Sequence, residues 1–178
     1  MEKINSKACA KAAQLRLMGF DVDGVLTDGS LYFTPAGDEI KVFSSLDGHG
    51  LKMLQQAGIM VVIITGRESA MVARRAENLG ITHLYQGVQD KRAVMQSLRD
   101  SLKLSQEETG YIGDDVVDLP ILRACGFSAT VVDGHDFVKQ HVDFCATKGG
   151  GRGAVREVCD FILAAQDKLE AMLNSYLA

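Results

Sequence analysis

The chain has 178 residues, 47% of them hydrophobic and 24% charged, and a formal net charge of −4. This length predicts a single domain over residues 1–178, and the charge lacks the basic excess of nucleic-acid-binding proteins. Residues 1–16 carry no signal-peptide core, and the longest apolar run, residues 58–65, is too short to span a membrane. The four cysteines are scattered, as in reduced proteins. We therefore expect a cytoplasmic protein without nucleic-acid or membrane partners.

Strand patterns and helix patterns alternate along the chain. The strand patterns cover residues 15–20, 59–64, 81–85, 109–112, 128–132 and 144–147. The helix patterns cover residues 48–57, 68–79, 91–103, 116–125, 136–141 and about 154–176, and residues 105–108 match a capping box that opens one further turn. Two β-rich runs around the turn at 35–38 predict a hairpin over residues 30–43. Strands that alternate with helices and are apolar on both faces predict an α/β fold with a doubly wound parallel sheet.

Polar residues follow the predicted strands at the points where those strands end. Asp21 and Asp23 follow the first strand, residues 65–67 (Thr-Gly-Arg) follow the second, and Asp114 and Asp115 follow the fourth. In such sheets the ligand binds beyond the carboxyl ends of the strands. The sequence therefore predicts a functional site at this edge of the sheet.

Convergence of Asp21, Asp23 and Asp114 would bring three negative charges into one small volume. Two like charges ~4 Å apart repel by roughly 4 kcal/mol at an effective dielectric of 20, so the fold needs protons or a cation between them. Oxygen ligands without a histidine, and without the spacing of an EF-hand loop, favour Mg²⁺ over Zn²⁺ or Ca²⁺. Since Mg²⁺ uses substrate phosphate as a ligand, the cluster indicates phosphoryl chemistry. A solvated acidic turn is the alternative for the D-x-D pair alone.

Other residues near these strand ends are suited to phosphate or metal chemistry. Gly24 allows backbone N–H groups to turn toward a phosphate. The Thr65 hydroxyl could donate to a phosphate oxygen or cap a helix. Lys91 opens a predicted helix and is either a phosphate ligand or a surface lysine. Asp114 and Asp118 lie one helical turn apart and could face one cation, and Asp115 is also suited to cap that helix.

The order of these motifs resembles that of the haloacid dehalogenase-like phosphatase superfamily. The matching stretches are D-x-D-G-V at 21–25, T-G-R at 65–67, Lys91 and G-D-D-x-x-D at 113–118. Further stretches such as GITHLYQG and GGRGAVREVCD resemble the cap-less members that hydrolyse 3-deoxy-D-manno-octulosonate 8-phosphate (KDO 8-phosphate). The resemblance implies a Rossmann-like domain with a hairpin in place of a large cap. It also implies a homotetramer with hairpins at the subunit contacts, acting in lipopolysaccharide precursor biosynthesis.

The resemblance also implies a role for each site residue. Asp21 would attack phosphorus and form an aspartyl-phosphate, and Asp23 would act as the general acid and base. The side chains of Asp21 and Asp114, with the Asp23 carbonyl, would hold Mg²⁺. Thr65 and Lys91 would stabilise the phosphoryl oxygens. Asp115 and Asp118 would lie behind the residues that touch substrate and metal, and would orient them.

Binding of a sugar acid phosphate requires local cations in a protein of net charge −4. The resemblance assigns the substrate to Ser44, Asp47, Gly48, Lys52, Gly66, Arg67, Arg75 and Arg152. Leu46 and Lys52 stand where this family usually has arginines. Arg152 lies in a glycine-rich stretch, which is either a mobile tail that reaches a site, even in a neighbouring subunit, or a plain loop.

Two alternatives remain open from the sequence. The same chemistry could act on a nonulosonic (sialic-type) acid 9-phosphate or another sugar phosphate, because related phosphatases share the catalytic motifs. The chain could instead be a non-enzymatic oligomerisation or binding domain. A two-component receiver domain also clusters acids with a threonine and a lysine, but it lacks D-x-D-G-V followed by a hairpin.

Overall fold

A computed structural model describes residues 6–177. Its central sheet has six strands, all parallel, in the order β5-β4-β1-β6-β7-β8. These strands are β1 Leu17–Phe20, β4 Met60–Ile64, β5 His83–Tyr85, β6 Thr109–Ile112, β7 Phe127–Thr130 and β8 Phe144–Cys145. The chain leaves β1 in one direction toward β4 and β5, and it returns to the other side of β1 with β6. The connections that follow β1 and β6 therefore run to opposite sides of the sheet, and a crevice opens between them at the carboxyl ends of these two strands.

Helices cover both faces of this sheet. They are α1 Ser6–Ala12, α2 Ser45–Gln56, α3 Ala70–Leu79, α4 Lys91–Leu102, α5 Leu119–Leu122, α6 Asp136–Lys139, α7 Ala154–Ala165 and α8 Leu169–Asn174, with 3₁₀ turns at Val116–Asp118 and Ser175–Leu177. One core contains Leu51 of α2 and Val158 of α7, and the other contains Met95 of α4 and Ile121 of α5. Because each face has its own helical layer and its own core, the prediction of a doubly wound α/β sheet is confirmed.

Several element boundaries differ from the prediction for local reasons. Helix α2 begins three residues early because the Ser44 side chain caps it, accepting a hydrogen bond from the Asp47 N–H at 3.3 Å. The prediction of one long C-terminal helix is wrong, since Asp167 adopts a left-handed conformation with φ 55° between α7 and α8. Residues 105–108 form a turn rather than a helix, with the Ser105 N–H bound to the Glu108 carboxylate at 2.8 Å. Helix α1 is absent from the sequence-based prediction.

The predicted hairpin is present as a small antiparallel sheet of β2 (Tyr32–Phe33) and β3 (Glu39–Ile40). It lies between β1 and α2, and no large cap domain occurs within residues 6–177. Its apolar side chains are exposed, namely Leu31, Phe33, Ile40 and Val42. None of the helices within the described range has the length and apolar character that a membrane span requires.

Candidate active site

A cavity of about 420 Å³ opens at the carboxyl edge of the sheet. It lies where the connections after β1 and β6 diverge, which is where ligands bind in open parallel sheets. Its walls come from the ends of β1, β4 and β6 and from the start of α4. The lining residues are Asp21, Asp23, Gly29, Thr65, Gly66, Arg67, Val88, Gln89, Lys91, Asp114, Asp115 and Val117.

Four of the charged groups at the bottom of this cavity form what we call the inner cluster: Asp21, Lys91, Asp114 and Asp118. The Lys91 ammonium bridges two carboxylates, at 2.9 Å from Asp21 Oδ1 and 2.7 Å from Asp118 Oδ1. Carboxylate oxygens of Asp21, Asp114 and Asp118 all lie within 4.8 Å of one another. Because three acids face a single lysine, the inner cluster carries an excess of negative charge.

Burial and mutual repulsion act on the pKa values of these acids. Burial, followed by repulsion from Asp118, raises the pKa of Asp21 to about 6 even though Lys91 opposes the shift. Burial, followed by repulsion from Asp21 and Asp118, raises the pKa of Asp114 to about 7. No lysine or arginine in the part of the chain described forms an ion pair with Asp114. The cluster therefore favours either protons or an additional cation.

This donor set fits a hard divalent cation. Three carboxylates offer oxygen atoms in one small volume, and no histidine or cysteine lines the cavity among the described residues. Mg²⁺ is commonly held by one or two carboxylates together with substrate phosphate, so the open side of the cavity leaves room for a phosphate ligand. The carboxylates of Asp21 and Asp114 that the sequence assigned to the metal lie in this set, and Asp118 joins them.

Packing beneath the inner cluster fixes its geometry. The fully buried Tyr111 of β6 donates its hydroxyl to the Ile64 carbonyl at 2.8 Å, and its ring centroid lies 5.9 Å from the Lys91 nitrogen. Asp118 is also fully buried, and it accepts hydrogen bonds from the Asp114 and Asp115 N–H groups at 3.1 and 3.4 Å. Lys91 is therefore held between a carboxylate and an aromatic face that are both parts of the core.

A second group of charges, the outer cluster, lies at the mouth of the cavity and consists of Asp23, Glu39, Lys41 and Arg67. The Lys41 ammonium contacts Asp23 Oδ1 and lies 3.3 Å from Glu39 Oε1. Arg67 lies on the other oxygen, with Nε 3.6 Å from Asp23 Oδ2, and its Nη2 is 2.7 Å from Glu39 Oε1. Two acids and two bases alternate here, so the outer cluster is balanced in charge.

Known proteins match the chain over most of its length. The family model of the haloacid dehalogenase-like hydrolases matches residues 31–126. The 3-deoxy-D-manno-octulosonate 8-phosphate phosphatase of Yersinia pestis is 46% identical over 160 residues, which cover 90% of this chain and 86% of that protein. The chain belongs to the haloacid dehalogenase-like hydrolases.

Solved structures of related proteins have the same fold as this haloacid dehalogenase-like hydrolase. The 3-deoxy-D-manno-octulosonate 8-phosphate phosphatase from Moraxella catarrhalis, in complex with magnesium ion, phosphate ion and KDO, has a TM-score of 0.94 and 43% identity, covering 96% of this chain and 98% of that one. A probable phosphatase from Pseudomonas syringae has a TM-score of 0.95 and 46% identity, covering 97% of this chain and 98% of that one. The fold predicted from the motifs is confirmed.

Most of the residues assigned to catalysis in this haloacid dehalogenase-like hydrolase meet at the cavity. Thr65 follows β4 and is buried at the cavity wall, while the cap of α3 is Ser69, so Thr65 does not cap that helix. Gly66 and Arg67 line the cavity beside it. Asp115 also reaches the wall, where its carboxylate accepts a hydrogen bond from the Val116 N–H at 2.7 Å.

Six of the residues assigned to the substrate lie outside the cavity lining: Ser44, Asp47, Gly48, Lys52, Arg75 and Arg152. Ser44 caps α2, and its carbonyl accepts a hydrogen bond from Arg75 at 3.1 Å. A side chain at Gly48 would meet the same arginine, at 2.1 Å from Nη2. Lys52 lies further along α2, beside a separate surface depression. Ser44, Gly48 and Arg75 therefore organise the start of α2 rather than the cavity.

Asp47 has a structural contact that the sequence did not indicate. Its carboxylate is buried and accepts hydrogen bonds from the Gly153 N–H at 3.2 Å and the Arg156 N–H at 2.8 Å. These are backbone groups at the start of α7, which otherwise have no partner within the helix. Asp47 therefore ties α2 to the glycine-rich stretch that precedes α7.

The glycine-rich stretch at 149–153 packs directly against the loop that carries Asp21 and Asp23. Its Gly151 N–H donates to the Val25 carbonyl at 2.9 Å, and a Cβ at Gly150 would lie only 2.0 Å from the Gly24 carbonyl oxygen. The glycines here permit close backbone approach. Within one subunit this stretch is a packed loop, and the Arg152 side chain is exposed and lies 3.3 Å from the Asp28 carboxylate.

Sequence reasoning missed two members of the outer cluster, Glu39 and Lys41. Both belong to the hairpin segment and are two residues apart, so they share one face of it. The neighbouring apolar residues, Ile40 and Val42, occupy the opposite face and are exposed. Alternation of charged and apolar residues indicates that Glu39 and Lys41 share a face, and the structure shows that this face turns toward the protein.

Proposed function

We propose that the protein is a Mg²⁺-dependent phosphatase that hydrolyses KDO 8-phosphate to KDO and phosphate. The observation that carries this proposal is the convergence of Asp21, Lys91 and Asp114 at the strand switch point, with Asp23 beside them at the mouth. The similarity to phosphatases of that name over most of the chain supports the choice of substrate.

Asp21 is the proposed nucleophile. The Lys91 ammonium and the Val22 N–H both engage its Oδ1, at 2.9 and 2.8 Å. This leaves Oδ2 free to form the bond to phosphorus while the bond from phosphorus to the sugar oxygen breaks. The electron pair of that bond stays on the sugar oxygen, and an aspartyl-phosphate results. Attack by water on phosphorus then releases phosphate and regenerates the carboxylate, so one difficult displacement becomes two easier ones.

Asp23 is the proposed proton carrier. It lines the cavity, and its carboxyl would protonate the sugar oxygen as that oxygen departs. The resulting carboxylate then takes a proton from the attacking water, which restores the starting state. Proton transfer of this kind contributes typically ~10²–10⁴-fold to the rate when the leaving group is an alcohol.

Thr65 and Lys91 are the proposed stabilisers of the phosphoryl oxygens. Both line the cavity, and Lys91 is held rigidly by Asp118 at 2.7 Å. A preorganised donor needs no rearrangement when charge develops in the transition state. Mg²⁺, held by the carboxylates of Asp21 and Asp114 and by the Asp23 carbonyl, would neutralise charge and orient the phosphate when bound. In this proposal Asp118 and Asp115 orient Lys91 and the turn after β6.

The proposal includes a cytoplasmic homotetramer that acts in lipopolysaccharide precursor biosynthesis. Exposed apolar side chains on the hairpin, such as Phe33 and Val42, favour burial between subunits. All four cysteines are unpaired, as expected in a reducing compartment. Arg152 and Lys52, which lie outside the cavity lining of one subunit, could contact a substrate held by a neighbour in such an assembly.

Phosphate release from a panel of sugar phosphates tests this function. KDO 8-phosphate should give the highest kcat/KM, activity should vanish in a chelator, and Mg²⁺ should restore it while Ca²⁺ should not. A higher kcat/KM with a nonulosonic acid 9-phosphate would make that compound the substrate in place of KDO 8-phosphate. The absence of any turnover would favour the alternative of a non-enzymatic binding domain. Light scattering tests the assembly, and a monomer would contradict the tetramer.

A further inference from the structure

Lys41 is the most deeply buried cation of the outer cluster. Only 2% of its side chain is exposed, against 46% for Arg67. It reaches from the hairpin onto Asp23, which lies on the loop after β1, and it also contacts Glu39 of the hairpin itself. A lysine loses water and side-chain freedom when it is buried this far, and it stays charged only where carboxylates replace the lost hydration.

The two oxygens of Asp23 have different environments. Oδ1 is covered by the buried Lys41 ammonium, whereas Oδ2 faces Arg67 at 3.6 Å, on the exposed side of the cluster. A carboxylic acid can carry its proton on either oxygen, but only a proton directed into the cavity can reach a leaving group. Lys41 donates to Oδ1, and it therefore leaves Oδ2 as the oxygen that can carry the proton.

We propose that Lys41 is a positioning residue that holds the Asp23 carboxyl in the orientation required for proton transfer to the leaving group. This inference rests on the proposed phosphatase function, in which Asp23 is the acid. It gives the hairpin a part in the chemistry within a single subunit, separate from any contact between subunits. Lys41 itself is absent from the cavity lining, so it acts through Asp23 and not on the substrate.

The type of residue at position 41 supports this role over a purely structural one. An apolar side chain would anchor the hairpin to the protein without the cost of burying a charge. If lysine only balanced charge, Arg67 already lies on both carboxylates of the cluster. The distinct contribution of Lys41 is therefore directional: it engages one oxygen of Asp23, Oδ1, and leaves Oδ2.

The dependence of the rate on the leaving group tests this inference. Loss of an oriented acid slows the release of a sugar alcohol but barely affects nitrophenolate, which departs without a proton. Lys41→Met should therefore lower kcat on KDO 8-phosphate by about 10–100-fold, with KM changed by less than about threefold. With p-nitrophenyl phosphate, the rate of the nitrophenolate burst in the first turnover, which precedes the step where Asp23 acts as a base, should change by less than about threefold. Lys41→Arg should recover part of the lost rate.

Two further variants provide reference kinetics for Lys41→Met. Asp23→Asn should show the same selective loss, and adding Lys41→Met to it should have little further effect on the sugar phosphate, because both act through one group. Lys11→Met is the matched control, since Lys11 forms a similar pair, 2.6 Å from Asp143, at a distance from the cavity. It should leave both substrates unaffected. Should Lys41→Met fail to fold, Lys41→Gln replaces it in the same comparison.

Each other outcome overturns a specific claim. Equal losses on both substrates in the first turnover would mean that Lys41 only supports the fold, and a raised KM with unchanged kcat would mean that it binds the sugar. If Lys41→Met had the same kinetics as Lys11→Met, Lys41 would have no role in the reaction. A wild-type protein that hydrolyses neither ester would instead contradict the proposed phosphatase function.

Discussion

The inner and outer clusters lie side by side at one edge of the sheet, yet they differ in charge balance. In the inner cluster three carboxylates share one lysine, and burial raises the pKa of Asp21 and Asp114. In the outer cluster two carboxylates alternate with two cations. Residues of the inner cluster come from the segments that follow β1 and β6 and from the start of α4, whereas half of the outer cluster comes from the hairpin.

This difference separates two tasks that a phosphatase must perform. An excess of negative charge makes a place for a divalent cation, which in turn attracts phosphate. A balanced cluster needs no ion and can instead hold one carboxyl in a fixed orientation. Two aspartates separated by a single valine can therefore take different roles, because Asp21 faces the first environment and Asp23 faces the second.

Replacement of Asp21, the proposed nucleophile, should have the largest effect on activity. Asp21→Asn should lower kcat on the order of 10⁴-fold or more on every phosphate ester, because an amide cannot attack phosphorus. The thermal midpoint should not fall, since the change removes one of three repelling carboxylates. Steady-state phosphate release and a melting curve measure both. Retention of a few per cent of the activity would take the role from Asp21.

Removing the single cation of the inner cluster should have the next largest effect. Lys91→Met should lower kcat by roughly 10²–10³-fold, the loss expected for one preorganised donor. In a chelator the free energy of unfolding should also fall by about 3 kcal/mol, because Asp21 and Asp118 lose their buried partner. Denaturant titration with and without Mg²⁺ measures this change.

The matched control for that prediction is Lys139→Met. Lys139 also pairs with an aspartate, at 3.0 Å, but that partner is exposed and lies away from the cavity. It should leave activity and stability unaltered. Equal stability losses in the two variants would show that the inner cluster has no special dependence on its lysine.

The raised pKa values predict an unusual dependence of stability on pH. Asp21 and Asp114 titrate at about 6 and about 7 in the folded protein, against 3.8 ordinarily. Between pH 3.8 and about 7, these two groups bind more protons in the folded state than in the unfolded state. They therefore lower the free energy of unfolding as the pH rises from about 4 to about 7. Asp114→Asn should therefore gain stability relative to wild type across this window, in a chelator. A constant difference between the two melting curves would contradict the prediction.

The smallest expected effect concerns Arg152, outside both clusters. Its pair with Asp28 is exposed, so Arg152→Ala should change the free energy of unfolding by less than about 1 kcal/mol. We nevertheless expect kcat or KM for the sugar phosphate to change several-fold, because this arginine could contact a substrate in an assembled oligomer. Unchanged constants would leave position 152 as an ordinary part of the turn before α7.

The sequence predicted the inner cluster well because a simple geometric rule governs it. Parallel strands place their carboxyl ends at one edge, so Asp21, Thr65 and Asp114 must meet once the strands are recognised. Lys91 follows because it opens the helix whose start lies at that same edge. These inferences need only the order of the strands and helices, which the pattern of apolar residues gives.

The contacts that the sequence did not indicate depend on packing between segments that no spacing rule connects. Asp47 belongs to a stretch that resembles a family substrate motif, but the early start of α2 turns it toward α7. Lys41 reaches Asp23 only because the hairpin folds back over the cavity mouth. The break at Asp167 involves neither glycine nor proline, so the sequence gives no warning of it.

The central place of β1 in the sheet has a consequence for how the molecule is made. Leu17 pairs with Met60 on one side and with Thr109 on the other. The middle of the sheet can therefore form only when segments that are distant in the chain are present. Non-local pairings of this kind form slowly, and a chain emerging from the ribosome gains residues at only about 5–20 per second. Until β6 has emerged, the nascent chain contains Asp21 and Thr65 but lacks Asp114, and one side of β1 is an unpaired edge. Acquisition of the metal should therefore coincide with the closing of that edge, late in synthesis.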